Sequence, residues 1–305
     1  MSKLGLALGG GGARGLAHIG VLKVLDAERI KISAITGCSM GALVGGLYAY
    51  YGNAQQVEEF TLRVIRDSTF NRLGIDKLGD NAKKPDKNYF EQFVAFIGTR
   101  LRALKSLGNP SYFDESIAGE FFDIIPDVPI ESLRVSFSAI ATDLLSGEEV
   151  NFAEGSLRNA LRASSAIPGI FPPVSYDRYL LVDGSASESV PAGKVRELGA
   201  DRIVAVDVMR SLKIVGQTQK IIDILYRTED ITSYHLSVVR LKEADLVIRP
   251  QVRELSWADF DKVEEIIAAG ERAARQSLGD IKKLIHRSSI LVEIGHFIQH
   301  LRRDR

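Results

Sequence analysis

Short apolar runs alternate with helix-like patterns along the first fifty residues of the chain. The apolar run over 3–8 predicts a buried strand, and a second run over 32–36 predicts another. From Arg14 onward, the positions facing a core follow helical spacing, at His18, Val21, Leu22 and Leu25. A second predicted helix follows the second strand and ends at Gly52, a typical C-terminal cap. Two consecutive strand–helix units imply a parallel sheet with right-handed crossovers.

The pattern changes after residue 52. A helical stripe is formed by Phe90, Phe93, Val94, Ile97, Leu101 and Leu104. It indicates that 53–130 is a mostly helical insertion that covers one end of the sheet. Strand-like runs return at 134–141, 149–152, 179–182, 202–208 and 245–249, and helical patterns fill 217–242 and 258–286. We therefore expect one α/β domain over 1–287, with the insertion inside it.

The last segment, 288–305, predicts a separate amphipathic C-terminal helix. Its apolar side carries Ile290, Leu291, Ile294, Phe297, Ile298 and Leu301, and three arginines follow at its end. Such a helix can pack on its own domain, lie on a membrane surface or contact a second copy of the chain. The sequence leaves these alternatives open, and with them the oligomeric state.

Composition and charge exclude several classes of function. The chain has 305 residues, of which 45% are hydrophobic and 26% charged, and its formal net charge is zero. No basic excess is left to displace the counterions of nucleic acid, so we expect no nucleic-acid partner. The single cysteine, Cys38, cannot form an intrachain disulfide or a cysteine-only metal cluster. We find no signal-peptide or membrane-span pattern and expect a cytoplasmic protein, with peripheral contact at the inner membrane face as an option.

The glycine run after the first strand is typical of an anion-binding turn. Gly10, Gly12 and Gly15 match the G-x-G-x-x-G pattern of dinucleotide sites. Such a site also needs an acidic residue at the end of the next strand, and this strand ends in Thr36-Gly37-Cys38-Ser39. The chain also lacks the Gly-Lys-Ser/Thr of a P-loop at this position. The anion is therefore not expected to be the phosphate of a nucleotide.

The second strand leads into a nucleophile elbow. Gly37-Cys38-Ser39-Met40-Gly41 matches G-x-S-x-G at a predicted strand–helix junction, where a sharp turn exposes the serine hydroxyl. Parallel neighbours bring their carboxyl ends together, so the N–H groups around Gly10, Gly11 and Gly12 would face a carbonyl attacked by Ser39. The pair of motifs predicts a nucleophilic serine with an oxyanion hole.

A base for this serine is harder to find. His18 lies on the apolar stripe of the first helix, and His235, His286, His296 and His300 lie in predicted helices away from any strand end. Only one predicted strand comes before the strand that leads into Ser39, whereas an α/β-hydrolase has several. The Ser–Asp–His order of α/β-hydrolases is therefore a poor match. Asp183 is the better candidate, because the strand-like run over 179–182 leads directly into it. An Asp-Gly pair alone is more often only a turn.

The chain resembles the bacterial patatin-like phospholipases, which are serine lipid acyl hydrolases. Four blocks carry the likeness: LGGGGARGLAHIGVL; TGCSMGALVGGLYA; ATDLLSGE with RASSAIPGIFPPV; and LVDGSASESVP with LGADRIVAVDV. They cover most of 4–53 and 134–208 in the order typical of the family. The resemblance implies a three-layer α/β/α sandwich with a mostly parallel central sheet, together with the helical insertion and the C-terminal helices.

The resemblance also implies roles for individual residues. Ser39 takes the nucleophile position and Asp183 that of the base, in a Ser–Asp dyad without histidine. The loop Gly10–Gly12 takes the oxyanion role, and Arg14 matches the arginine that closes it. Asp183-Gly184-Ser185 stands where the family has D-G-G or D-G-A. Neither a metal nor a cofactor is implied.

Other residues near these motifs have structural interpretations. We expect Ser164 and Ser165 to shape the pocket wall, Cys38 to be a small buried flank of the elbow, and Asp143 to be structural. The resulting hypothesis is a hydrolase of fatty acyl esters in phospholipids or lysophospholipids. The alternatives are a general carboxylesterase or thioesterase with the same dyad, and a regulatory protein that binds lipid without turnover.

Overall fold

The computed structural model describes residues 2–67, 70, 111, 113–209, 212 and 221–303. The predicted helical stripe at 90–104 lies outside these residues. The strands are β1 (Leu4–Leu8), β2 (Ile32–Cys38), β3 (Ser136–Asp143), β4 (Glu149–Phe152), β5 (Val174–Tyr176), β6 (Tyr179–Asp183), β7 (Arg202–Val206) and β8 (Leu246–Ile248). The helices are α1 (Ala17–Ala27), α2 (Met40–Tyr51), α3 (Ala54–Arg66), α4 (Glu115–Phe122), α5 (Leu157–Ser164), α6 (Ala192–Glu197), α7 (Ile221–Arg240) and α8 (Val263–Arg303). Short 3-10 turns lie at Gly12–Leu16, Ile130–Ser132, Gly184–Ala186, Leu241–Glu243 and Phe260–Lys262.

The strands form one mixed sheet in the order β5-β6-β3-β2-β1-β7-β8, and β4 pairs with β3 outside this path. The strands from β3 to β8 in this order are parallel, whereas β4, β5 and β6 are antiparallel to their neighbours. Apolar cores lie on both faces. The larger core packs α1, α2 and α8 on one face, and a smaller core packs α6 on the other. The predicted three-layer α/β/α sandwich is confirmed.

The register of the sheet brings the two main candidate residues to one level. Cys38 of β2 pairs with Ile140 of β3, so Ser39 follows at the level of Ala141. Asp183 of β6 pairs with Ala141 along the same edge of β3 as β2, because β4 occupies the opposite edge. The nucleophile and base candidates therefore lie at the level of Ala141 on one edge of β3, although β6 runs antiparallel to β2.

The C-terminal part differs from the sequence expectation. The structure has one continuous helix, α8, instead of a helix over 258–286 followed by a separate one over 288–305. The periodic pattern was interrupted near Arg287-Ser288-Ser289, but these residues carry no glycine or proline that would end a helix. The three alternatives for 288–305, packing on its own domain, on a membrane surface or on a second copy, all depend on side chains outside the described ones. Within the described residues, no helix is both long and apolar enough to cross a lipid bilayer.

Helices α1 and α8 cross at two glycines, which allows their backbones to approach closely. A Cβ on Gly270 would overlap the carbonyl of Ala17, and one on Gly20 would overlap the carbonyl of Ile267. Because both obstacles are backbone atoms, they cannot move aside as a flexible side chain would. This crossing therefore requires glycine on both helices.

We expect Gly270→Ala to lower the free energy of unfolding by about 1–3 kcal/mol, because the added methyl group overpacks the crossing. Gly279→Ala is the matched control on the same helix, since a Cβ there has no heavy atom within 4 Å. The control should be neutral or stabilising by up to about 1 kcal/mol, because alanine is the better helix former. Chemical denaturation of the three proteins measures both effects. Equal stability of the two variants would contradict the packing described.

Candidate active site

Ser39 lies on a sharp turn between β2 and α2. Its backbone has φ 53° and ψ −123°, a conformation that residues other than glycine rarely adopt. A Cβ on Gly41 would overlap the carbonyl of Leu8, and one on Gly37 would overlap the carbonyl of Gly41. The small residues of the motif are therefore required by strand–helix crowding, as the sequence predicts. The Ser39 N–H donates to the Ser164 hydroxyl over 3.0 Å, which fixes the turn from α5.

The Ser39 hydroxyl lies close enough to the Asp183 carboxylate to lower its pKa. The carboxylate accepts the Ser185 N–H at Oδ1 over 2.9 Å, and the Asp183 N–H donates to the Ala166 carbonyl over 3.0 Å. Burial raises the pKa of Asp183, and the polar groups of Ser39 and Ser185 beside it partly oppose that rise. The two predicted dyad residues are therefore neighbours in the structure.

Ser185 and Cys38 complete the polar surroundings of this carboxylate. The Ser185 Oγ lies 3.4 Å from the Cys38 Sγ, and that sulfur lies 3.8 Å from Oδ1 of Asp183. Burial and the negative charge of Asp183 raise the pKa of the Cys38 thiol, which keeps it protonated at neutral pH. Cys38 is therefore an unreactive flank of the elbow. The hydroxyl of Ser185 fits in the turn where the family has a hydrogen or a methyl group.

The glycine loop lies beside Ser39, and its N–H groups differ in whether they already donate a hydrogen bond within the protein. A Cβ on Gly10 would lie 3.4 Å from the Cβ of Ser39 and 2.7 Å from Oγ of Ser185, so the loop approaches both side chains closely. The Gly10 N–H donates to the Ser189 carbonyl over 2.9 Å. This corrects one expectation, because Gly10 is already occupied as a donor. Within the described part of the chain, the N–H groups of Gly11 and Gly12 have no acceptor.

Arg14 and His18 stabilise the glycine loop through hydrogen bonds to backbone carbonyls. The Arg14 guanidinium donates to the carbonyls of Val208 and Leu255 over 3.1 and 3.2 Å. His18 Nε2 donates to the Gly9 carbonyl over 2.8 Å, and burial lowers the pKa of this histidine to about 4. His18 is thus neutral at physiological pH, with its proton committed to the loop. Arg14 ties the glycine loop to the backbone at Val208 and Leu255.

An apolar cavity, the Ser39 pocket, opens above the nucleophile. It has a volume of about 540 Å³, counting the part open to solvent, and its walls include Met40, Leu43, Phe121, Phe171 and Trp257. Ser165 also lines it, as predicted, whereas Ser164 instead binds the Ser39 N–H. No described histidine lines the pocket. Such walls suit an apolar substrate group whose reacting end lies at Ser39.

Asp143 stays apart from this chemistry. Its carboxylate accepts hydrogen bonds from the Ser146 hydroxyl over 2.7 Å and from the Leu180 N–H over 2.9 Å. The hydrogen bond from Ser146 lowers the pKa of Asp143 most, and the bond from Leu180 lowers it further. Asp143 therefore holds the turn after β3, which agrees with its structural interpretation. Among the described residues, no group of three or more His, Cys, Asp or Glu side chains is arranged to hold a metal ion.

Two further residues, Ser189 and Ser164, support the site and differ in whether the sequence contains a local signal for them. The Ser189 carbonyl holds the Gly10 N–H through a fold-level contact, which has no local sequence signal. Ser164 does have one, because Ser156 caps α5 by accepting the Asn159 N–H over 3.1 Å. That Ser-x-x-Asn pattern predicts a helix start at 157, but it fixes neither the end of the helix nor the contact of Ser164 with Ser39.

The fold and the site place this chain in the class of α/β/α sandwich proteins that carry a serine at a nucleophile elbow. The chain belongs to the patatin-like phospholipase family, whose family model matches residues 6–195. An uncharacterised NTE family protein of Mycobacterium tuberculosis is 36% identical over 208 residues, covering 68% of this chain and 49% of the relative. Neuropathy target esterase of Drosophila melanogaster is 30% identical over 209 residues, covering 68% of this chain and 13% of that protein.

The likeness extends to solved structures at low sequence identity. VipD from Legionella pneumophila superimposes with a TM-score of 0.50 at 14% identity, covering 92% of this chain and 67% of VipD. At that identity the likeness shows the fold alone. The chain spans about half the length of the mycobacterial relative (49%) and a smaller part of the insect protein (13%).

Proposed function

We propose that the chain is a lipid acyl hydrolase that cleaves fatty acyl esters of phospholipids or lysophospholipids through a Ser39–Asp183 dyad. The observation that carries the proposal is that Ser39, on a strained elbow and in the wall of an apolar pocket, lies beside the buried Asp183 carboxylate and lowers its pKa. Family membership supports the lipid substrate class. NTE family relatives support ester chemistry, since one of them is named an esterase.

The first half of the reaction forms an acyl-enzyme. Ser39 Oγ attacks the ester carbonyl while Asp183 accepts the hydroxyl proton, and the carbonyl oxygen becomes an oxyanion. The N–H groups of Gly11 and Gly12 and the N-terminus of α2 stabilise that charge. When the intermediate collapses, the ester bond breaks and Asp183 returns the proton to the departing alcohol oxygen.

The second half releases the fatty acid. A water molecule gives its proton to Asp183 as its oxygen attacks the acyl carbonyl, and the same N–H groups stabilise the second oxyanion. Collapse breaks the bond to Ser39 Oγ, which takes the proton back from Asp183. The free carboxylic acid leaves and the dyad is restored. These steps use no group other than water and the residues named.

The proposal is tested by offering the purified protein phosphatidylcholine vesicles, a lysophospholipid and a butyryl ester, with released acid measured by mass spectrometry. We expect release from at least one lipid substrate. Release from the butyryl ester alone would favour the general esterase. Release from none of the three, with lipid still bound, would favour the regulatory lipid-binding protein.

A further inference from the structure

A second apolar cavity adjoins the Ser39 pocket between α2, α3 and α4. This distal cavity has a volume of about 530 Å³, counting its open part, and Leu47, Phe60 and Val64 lie on its walls. It shares Met40, Leu43 and Phe121 with the Ser39 pocket, so the two spaces meet at these side chains. Val64 lines the distal cavity but not the Ser39 pocket. A substitution at Val64 therefore alters the distal cavity without changing the walls around Ser39.

The distal cavity continues to an outlet at the protein surface. A third space shares Phe60, Val64 and Phe121 with it and ends beside Arg63 and Asp67, which are both exposed. The Arg63 guanidinium lies over the Phe60 ring at 5.3 Å from its centroid. Among the described lining residues, the charged side chains lie in the third space at the surface, whereas the walls of the distal cavity are apolar apart from Thr61.

The chemistry of these walls selects the occupant. Among the described residues that line the distal cavity, Thr61 is the one polar side chain, so a phosphate, sugar or peptide would lose hydrogen bonds to water there and gain almost none from these walls. An alkyl chain loses none and removes apolar surface from water. Each methylene group buried this way improves affinity by about fourfold.

We propose that the distal cavity binds the far part of a long acyl chain whose carbonyl lies at Ser39, and that it thereby makes the site selective for long-chain over short-chain acyl esters. This inference rests on the proposed function, because it takes the Ser39 pocket as the place of the ester. Phe121 on α4 stands at the junction of the two spaces, and Val64 on α3 forms a wall beyond it. Both are specificity-determining residues in this account.

The test fills the distal cavity from one wall. Val64→Phe introduces a ring into the distal space, and Val239→Phe is the matched control at a residue that is 55% exposed on α7. The first readout is the kcat/KM ratio for palmitoyl over butyryl esters of the same alcohol. We expect Val64→Phe to lower this ratio at least tenfold, since loss of about two buried methylene groups suffices, and Val239→Phe to leave it as in wild type.

The second readout does not depend on turnover. The fluorescent methyl ester of cis-parinaric acid is titrated into Ser39→Ala, with and without Val64→Phe, and we expect at least tenfold weaker binding when both changes are present. An unchanged palmitoyl-to-butyryl ratio, equal binding by the two proteins, or no binding to Ser39→Ala would overturn the inference. If wild type cleaves neither ester, the proposed function fails, and the binding titration still decides whether the cavity takes the chain. If Val64→Phe does not fold, Phe121→Trp blocks the same passage from α4.

Discussion

Ser39→Ala is expected to lower kcat/KM for acyl ester hydrolysis by at least about 10⁴-fold. The hydroxyl of Ser39 is the proposed attacking group, and without it water would have to react directly with the ester. Removing the nucleophile of a serine enzyme leaves only the catalysis supplied by the oxyanion donors and by substrate binding. Released fatty acid, measured under single-turnover and steady-state conditions, gives the size of the loss.

Ser175→Ala is the matched control for this substitution. Ser175 is exposed on the short strand β5 and does not line the Ser39 pocket. We expect it to retain wild-type kcat/KM. Ser39→Ala with more than a few per cent of wild-type activity would show that another group attacks the ester, and the proposed mechanism would then be wrong.

Asp183→Asn is expected to lower kcat/KM by about 10²–10⁴-fold, which is the usual contribution of a general base. The amide has nearly the same shape as the carboxylate, and its oxygen can still accept the Ser185 N–H. It cannot accept the Ser39 proton at neutral pH, so binding should survive while the chemical step slows. The kinetics should therefore show the loss mainly in kcat. Near-normal hydrolysis by Asp183→Asn would require a different base.

The pH dependence tests the same role with the carboxylate still present. The base must be ionised, and burial raises its pKa, so activity should fall on acidification at a pH above the range of an ordinary aspartate, whose pKa is about 3.9. The Ser185 hydroxyl lowers the pKa of Asp183. Ser185→Ala, which restores the D-G-A typical of the family, should therefore move the acidic limb of the kcat/KM profile to higher pH.

An acidic limb that stays in place in Ser185→Ala would contradict this account of the hydroxyl. The result in Asp183→Asn serves as the control, because the residual activity of that variant should lose the limb altogether. A limb that persists in Asp183→Asn would belong to a different group.

The first two strand–helix units could be predicted because their signals are local. An apolar run, a glycine turn and a helical period follow each other without interruption from Leu4 to Gly52, and the structure places β1, α1, β2 and α2 there. The elbow at Ser39 depends on crowding between one strand and the next helix, which short-range spacing encodes. The first two strand–helix units and the elbow at Ser39 can therefore be predicted from the sequence.

The position of the base depends on longer-range pairing. A run of four residues before Asp183 predicts a strand, but its direction is set by the partner it finds. In the structure β6 pairs with β3 in antiparallel register, and this pairing brings Asp183 to the level of Ser39. No local pattern contains that register. Family resemblance, rather than residue spacing, indicated Asp183 before the structure placed it.

The hydrogen bond from the Gly10 N–H to Ser189 is likewise a long-range contact that the sequence does not predict. Gly10, Gly11 and Gly12 are equivalent donors in the sequence, yet the tertiary contact with Ser189 decides that the Gly10 N–H is used inside the protein. Ser189 lies far along the chain, on the loop after Asp183. The proposed oxyanion role is therefore assigned to the N–H groups of Gly11 and Gly12 rather than to that of Gly10.

The central claim, an activated serine at the elbow, is tested most directly with a fluorophosphonate probe. Wild type, Ser39→Ala and Asp183→Asn are incubated with the probe, and intact mass followed by peptide mapping identifies the modified residue. We predict one adduct per wild-type chain, on Ser39, with much slower labelling of Asp183→Asn and none of Ser39→Ala. An adduct on another residue, or an unlabelled wild-type protein, would contradict the account.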